Sequence, residues 1–131
     1  MKKITDNESN LLAVFTTDED YSKEKNFLTG NDQEFQLASF NLKKDEEILR
    51  HYHPEQERRV LKTSEVLVLL KGEIEVSIYD KNQKLITSEI MSSGDTCLLI
   101  DGGHSLKIKN DSKFIEVKQG PYDIDTDKIR F

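Results

Sequence analysis

Apolar and polar residues alternate in short runs through the middle of the chain, between positions 35 and 120. The clearest run is EIEVSIYD at 73–80, where every second residue is apolar. Because side chains of a β-strand point alternately to opposite faces, this run predicts a strand with one buried face. Its inward residues are Ile74, Val76 and Ile78. The preceding run, EVLVLLKG at 65–72, is short and almost wholly apolar, which predicts a strand buried on both faces.

More short strands are predicted on both sides of this pair, separated by turns rich in Gly, Asp, Asn and Ser. These strands are Glu34–Leu42, Lys84–Met91, Thr96–Ile100, Ser105–Asn110 with Leu106 and Ile108 inward, and Lys113–Gly120. Leu11–Thr16 is predicted to add an edge strand, and the segment 17–27 to form a short helical element. Seven or eight short strands without long helical periodicity predict an all-β sandwich or barrel.

The length and composition indicate one water-facing domain. A chain of 131 residues is the size of a single domain. We place its core at about 35–120, with an N-terminal extension over 1–33 and a tail over 121–131. The net charge of -6 argues against nucleic-acid binding, which needs an excess of Lys and Arg, and against binding to an anionic membrane.

Targeting signals and cysteine usage favour a cytoplasmic protein. No apolar run is long enough for a transmembrane helix, and no apolar stretch follows the N-terminal lysines as in a signal peptide. The single cysteine, Cys97, cannot form an internal disulfide, which is typical of a reducing compartment. Since Cys97 lies in an apolar strand, we interpret it as a buried structural thiol rather than a nucleophile.

The candidate chemistry centres on histidine, of which the chain has three. His51 and His53 are separated by one residue, so in a strand both imidazoles would point to the same face. Imidazole is the commonest metal-binding side chain. Neighbouring strands could supply further ligands, because Glu65 opens the next predicted strand and His104 lies in the turn DGGH. The alternative is that these histidines are polar residues at a strand end.

These positions resemble the two sequence motifs of the cupin family. The first cupin motif is His-x-His, a gap, then Glu, six residues and Gly. Here His51 and His53 are followed by Glu65, and six residues later by Gly72. The second motif, Gly-x5-Pro-x-Gly-x2-His, is similar to the segment 94–104, which begins with Gly and ends with His104.

The resemblance covers about residues 35–117 and implies a double-stranded β-helix, the jelly-roll-like barrel of the cupins. It also implies one divalent metal ion in the mouth of the barrel. Its ligands would be His51, His53, Glu65 and His104. This ligand set suits Zn, Fe, Mn or Ni without choosing among them. Interior apolar residues would form the wall of the site, among them Phe40, Leu67, Leu69 and Ile78.

The chain departs from the cupin pattern in the gap between His53 and Glu65. The family usually has three or four residues there, whereas this chain has the 11 residues PEQERRVLKTS, an insertion at 54–64. In addition, Ile100 stands where the second motif has proline. Arg58 and Arg59 lie in the insertion and are candidates for binding an anionic ligand, because guanidinium groups suit carboxylate and phosphate. The alternative, a solvated run of charges, is favoured.

Another acidic pattern is DIDTD at Asp123–Asp127, whose carboxylates alternate as in a calcium-binding loop. An EF-hand requires Gly at its sixth position, which is Lys128 here, so we reject a calcium site. No nucleophile motif of a serine or cysteine hydrolase is found in the sequence either.

Several functions fit this pattern. The first is a metal-binding cupin that binds or acts on a small oxygen-rich molecule, sugar-like or carboxylate-bearing, in the barrel mouth. Its metal would serve as a Lewis acid for isomerisation or epimerisation, or would activate oxygen as in an oxygenase. The alternatives are a non-catalytic binding or sensing module and a metal-free epimerase with a histidine as base. A homodimer is expected, paired through the edge strand at 11–17.

Overall fold

The computed structural model describes residues 1–21 and 24–131, and the described chain is all-β. Its strands are β1 Lys2–Thr5, β2 Leu11–Thr16, β3 Lys25–Phe27, β4 Ala38–Phe40, β5 Glu65–Lys71, β6 Glu73–Tyr79, β7 Leu85–Ser92, β8 Thr96–Leu99, β9 Gly103–Ile108 and β10 Lys113–Lys118. One short 3-10 helix spans Asp18–Asp20. No helix in the described ranges is long and apolar enough to cross a membrane.

The strands form three antiparallel sheets. The five-stranded sheet has the order β1-β2-β8-β5-β10, and the three-stranded sheet has the order β7-β6-β9. A separate pair consists of β3 and β4. None of the described sheets closes into a barrel, and the arrangement is consistent with a β-sandwich. The all-β class is confirmed, and the double-stranded β-helix stays a prediction.

The main core lies between the five-stranded and three-stranded sheets. Its largest fully buried members are Leu12, Leu67, Leu69, Ile74, Val76, Ile78 and Met91. A second cluster covers the opposite face of the five-stranded sheet. It contains Val14, Val66, Leu98 and Ile100, with Phe35 and Leu37 packed against it. Because β2, β5 and β8 bury residues on both faces, their sequences are nearly continuous apolar runs.

Several predicted features need correction. Leu11–Thr16 forms β2 with the predicted bounds, but it pairs with both β1 and β8, so it is an inner strand and β1 is the outer one. The predicted strand Glu34–Leu42 shrinks to the three residues of β4. Phe40 is 48% exposed and does not line the interior, unlike the other three predicted wall residues. Ile108 is exposed at the end of β9, whereas Leu106 packs against the core.

Cys97 is fully buried in β8, as the sequence predicts for a structural thiol. Burial raises the pKa of its thiol well above the usual range, so the reactive thiolate does not form at neutral pH.

The turn DGGH fixes the start of β9. Gly102 has a φ of +71°, and a Cβ there would collide with the carbonyl oxygen of Tyr79, so glycine is required on both grounds. Asp101 accepts a hydrogen bond from the Gly102 amide at 2.8 Å and binds the ammonium groups of Lys62 at 2.5 Å and Lys81 at 3.2 Å. These contacts hold the turn in place. β9 begins at Gly103, and His104 is its second residue.

Candidate functional site

The site is built on a contact between Glu65 and His104, whose Oε2 and Nε2 atoms lie 3.1 Å apart. Glu65 is the first residue of β5, in the five-stranded sheet, and His104 is the second residue of β9, in the three-stranded sheet. The Glu65–His104 pair therefore bridges the two sheets. Glu65 is buried, while the His104 side chain keeps about a third of its surface exposed, at 35%.

Glu65 is held in its ionised form by its neighbours. The hydrogen bond from His104 is the main cause that lowers the pKa of Glu65, and the positive charges of Lys118 and Lys128 lower it further. Burial opposes this shift but does not reverse it. At neutral pH the site therefore contains a buried carboxylate in contact with an accessible imidazole.

Lys118 completes the charged surroundings of Glu65. The two residues face each other across the pairing of β5 and β10, and Lys118 Nζ lies 3.9 Å from Glu65 Oε1. The same ammonium binds Asp127 Oδ2 more closely, at 2.6 Å, and lies 4.8 Å from the centroid of the Tyr122 ring. The hydrogen bond to Asp127 is the main cause that raises the pKa of Lys118.

Gln119 contributes a polar group beside these charges. Its Oε1 accepts a hydrogen bond from the Ser64 amide at 2.8 Å, next to Glu65. Its Nε2 is buried and has no hydrogen-bond partner among the described residues. The amino-acid pattern does not place Lys118, Gln119 or Asp127 at this site, because their relation to Glu65 depends on the pairing of β5 with β10.

The structure does not bring the other two predicted ligands to the Glu65–His104 pair. His51 and His53 lie in the segment 41–64, which connects β4 to β5 without a strand, and both are exposed. Their ring centroids are 5.2 Å apart, and His51 Nδ1 lies 2.9 Å from the carbonyl oxygen of Leu49. Across residues 1–21 and 24–131, no group of three or more His, Cys, Asp or Glu side chains could hold a metal ion. The four-ligand metal site stays a prediction.

Arg58 and Arg59 are exposed in the same segment. Arg58 reaches only Gln56, at 3.4 Å, and neither arginine forms an ion pair with a described residue. The end of the insertion is better anchored, since Glu34 accepts hydrogen bonds from the amides of Leu61 and Lys62. The role of Arg58 and Arg59 in ligand binding stays a prediction.

The Glu65–His104 pair can perform acid–base chemistry. When His104 donates its Nε2 hydrogen to Glu65, the Nδ1 atom carries a free lone pair, and within the described residues no hydrogen bond engages Nδ1. A neighbouring carboxylate also stabilises the imidazolium that forms when Nδ1 takes up a proton. The pair thus has the parts of a general base.

Comparisons with known proteins add no relative, because no protein-family model, curated protein or solved structure matches this chain. The resemblance to cupins therefore rests on the motif residues. Of these, Glu65 and His104 meet in the fold.

Proposed function

We propose that this chain binds a small oxygen-rich molecule, sugar-like or carboxylate-bearing, at the Glu65–His104 pair. The observation that carries this proposal is a buried carboxylate in contact with a partly exposed imidazole. Burying a carboxylate costs free energy, and an apolar residue could close this end of the core at lower cost. A polar pair at the junction of two sheets is therefore better explained by ligand binding than by packing.

The chemistry of the pair suits proton transfer. His104 would accept a proton from the ligand at Nδ1, leaving the electron pair of the broken bond on the ligand. Glu65 would stabilise the resulting imidazolium through its contact with Nε2. A base of this kind removes a proton next to a carbonyl group, which is the step needed for epimerisation or isomerisation. This is the metal-free alternative, and it uses only residues that the fold already brings together.

Ligand binding can be tested by thermal unfolding against sugars, sugar acids and small hydroxycarboxylates. A ligand at ten times its Kd adds about 1.4 kcal/mol to the free energy of unfolding. For a chain of 131 residues this raises the Tm by about 5 °C. We expect the shift in the wild type and in His51→Ala, and not in His104→Ala. A shift that persists in His104→Ala would contradict binding at this pair.

A second candidate, divalent-metal binding, is favoured by one observation. Glu65 and His104, two of the four predicted ligands, lie far apart in the sequence yet meet in the structure. As placed, however, the described residues supply no third donor, so the donor set does not yet fit a metal ion. Metal binding would require the segment 41–64 to bring His51 and His53 to the pair. Among described strands, β9 pairs only with β6, so its other edge could receive that segment as an added strand.

Elemental analysis of the purified protein distinguishes the two candidates. If the metal proposal holds, the wild type contains about one metal ion per chain, and the double variant His51→Ala/His53→Ala loses it. A wild type that contains no metal after reconstitution with Zn, Fe, Mn and Ni would rule out the metal site. In that case the acid–base interpretation of His104 remains.

A further inference from the structure

The C-terminal tail, residues 121–131, folds back over the end of the sandwich that holds the Glu65–His104 pair. A turn begins at Asp123, whose carboxylate accepts from the Asp125 amide at 2.8 Å and whose carbonyl accepts from the Asp127 amide at 3.0 Å. This turn delivers the Asp127 carboxylate to Lys118, on the strand next to Glu65. The acidic pattern DIDTD thus has a structural role that differs from calcium binding.

The end of the tail has a second anchor on the other sheet. The Phe131 ring packs edge-on against Tyr79 of β6, with ring centroids 5.3 Å apart. A Cβ on Gly103 would lie only 2.7 Å from the Phe131 ring, so the ring rests directly against the residue before His104. The first anchor lies on the five-stranded sheet and the second on the three-stranded sheet. The tail therefore spans the same junction that the Glu65–His104 pair bridges.

The apolar part of the docked tail is weakly held. Phe131 keeps 61% of its surface exposed, and the two other apolar residues of the tail past Tyr122, Ile124 and Ile129, are 79% and 88% exposed. The Lys118–Asp127 pair is partly buried, with 14% and 11% of the two side-chain surfaces exposed, and it is therefore the firmer of the two anchors. Little apolar area holds the tail against the sandwich, and a ligand that competes for the same groups could displace it.

We propose that the tail is a displaceable strap that closes the Glu65–His104 pair, held at Lys118 by Asp127 and at Tyr79 and Gly103 by Phe131. Opening the strap increases the exposure of His104 beyond its 35% and frees the Lys118 ammonium for an anionic oxygen of a ligand. The regulatory meaning of the strap rests on the proposed ligand-binding function. The closure itself can be tested without any ligand.

The test measures how fast diethyl pyrocarbonate modifies each histidine of the full-length protein at pH 8, followed by peptide mass spectrometry. Diethyl pyrocarbonate acylates the neutral form of imidazole, so an alkaline buffer favours the reaction. We expect His104 to react at least about fivefold faster in Asp127→Asn than in the wild type, because a partly buried, charge-assisted hydrogen bond contributes more to the closed state than an exposed ion pair. Phe131→Ala, which removes the second anchor, should act in the same direction.

Matched controls come from the tail itself. Asp125→Asn makes the same chemical change as Asp127→Asn, and Ile129→Ala truncates another exposed apolar side chain of the tail. Both positions lie outside the two anchors, so both variants should leave the rate at His104 unchanged. His51 and His53 are exposed and distant in the sequence, and they serve as internal references in every sample. Equal His104 rates in the wild type and both anchor variants would overturn the strap. Equal acceleration by anchor and control variants would overturn the assignment of the anchors.

The outcome of this experiment does not depend on whether the proposed ligand-binding function is correct. Failure of ligand binding appears as the absence of any ligand-induced rise in Tm, whereas failure of the strap appears in the labelling rate of the unliganded protein. A protein that binds ligand with an unchanged labelling rate would keep the function and lose the strap.

Discussion

Leu69→Ala is expected to lower the free energy of unfolding by about 2–5 kcal/mol, the range for removing a fully buried leucine from a packed core. Leu69 has no exposed surface and lies in the cluster between the two main sheets. The cost combines the lost burial of the side chain with the cavity that remains. For a chain of 131 residues, the Tm should fall by at least about 7 °C.

The next residue of β5 provides the control. Leu70 has its side chain on the opposite face and is 56% exposed, so Leu70→Ala should change the free energy of unfolding by about 0.5 kcal/mol or less. Urea unfolding of the wild type and both variants measures the difference. Similar losses in the two variants would mean that the faces of β5 are assigned wrongly, since a slip of one residue exchanges them.

The comparison of β5 with β1 shows what the amino-acid pattern can and cannot predict. β5 and β6 have strong patterns and end at Lys71 and Tyr79, each within one residue of its predicted end. β1 was not predicted, because its four residues KKIT contain a single apolar residue. Its existence depends on pairing with β2, and such pairing is a tertiary contact that local sequence does not encode. The same pairing makes β2 an inner strand instead of the predicted edge.

The segment that carries His51 and His53 shows a different limit. Its alternating residues favour a strand, but neither face is covered in the structure, and Leu49 and Tyr52 are 76% and 85% exposed. A strand is stable when its backbone pairs and one face is buried, and residues 41–64 obtain neither. The motif therefore does not fix where this segment lies.

Two residues of the candidate site were predictable from the sequence. Glu65 and His104 could be chosen because motif spacing places each at a strand end, and they meet in the fold. Lys118 and Asp127 could not be chosen, because nothing in their local sequence separates them from the other charged residues. Their position follows from the register between β5 and β10 and from the turn that begins at Asp123.

Glu65→Gln is expected to lower the free energy of unfolding at pH 7 by about 1.5–3 kcal/mol, the usual contribution of a hydrogen bond to a charged group. Glutamine has nearly the same shape as glutamate, so the substitution leaves no cavity. The lost stability therefore reports the negative charge of Glu65, which His104 and Lys118 contact. Urea unfolding at a series of pH values measures this difference between the wild type and the variant.

The pH dependence of that difference identifies its origin. Because the folded-state pKa of Glu65 is lowered, the unfolded chain takes up this proton first as the pH falls. The contribution of Glu65 is therefore complete above the unfolded value of about 4.3 and is lost as the pH falls through the lower folded value. The wild type should thus approach Glu65→Gln in stability under acidic conditions.

Glu116→Gln, the same change at an exposed position of β10, should change the free energy of unfolding by about 0.5 kcal/mol or less at pH 7. A loss in Glu65→Gln that stays constant down to the lowest pH would contradict an ionised carboxylate at this position.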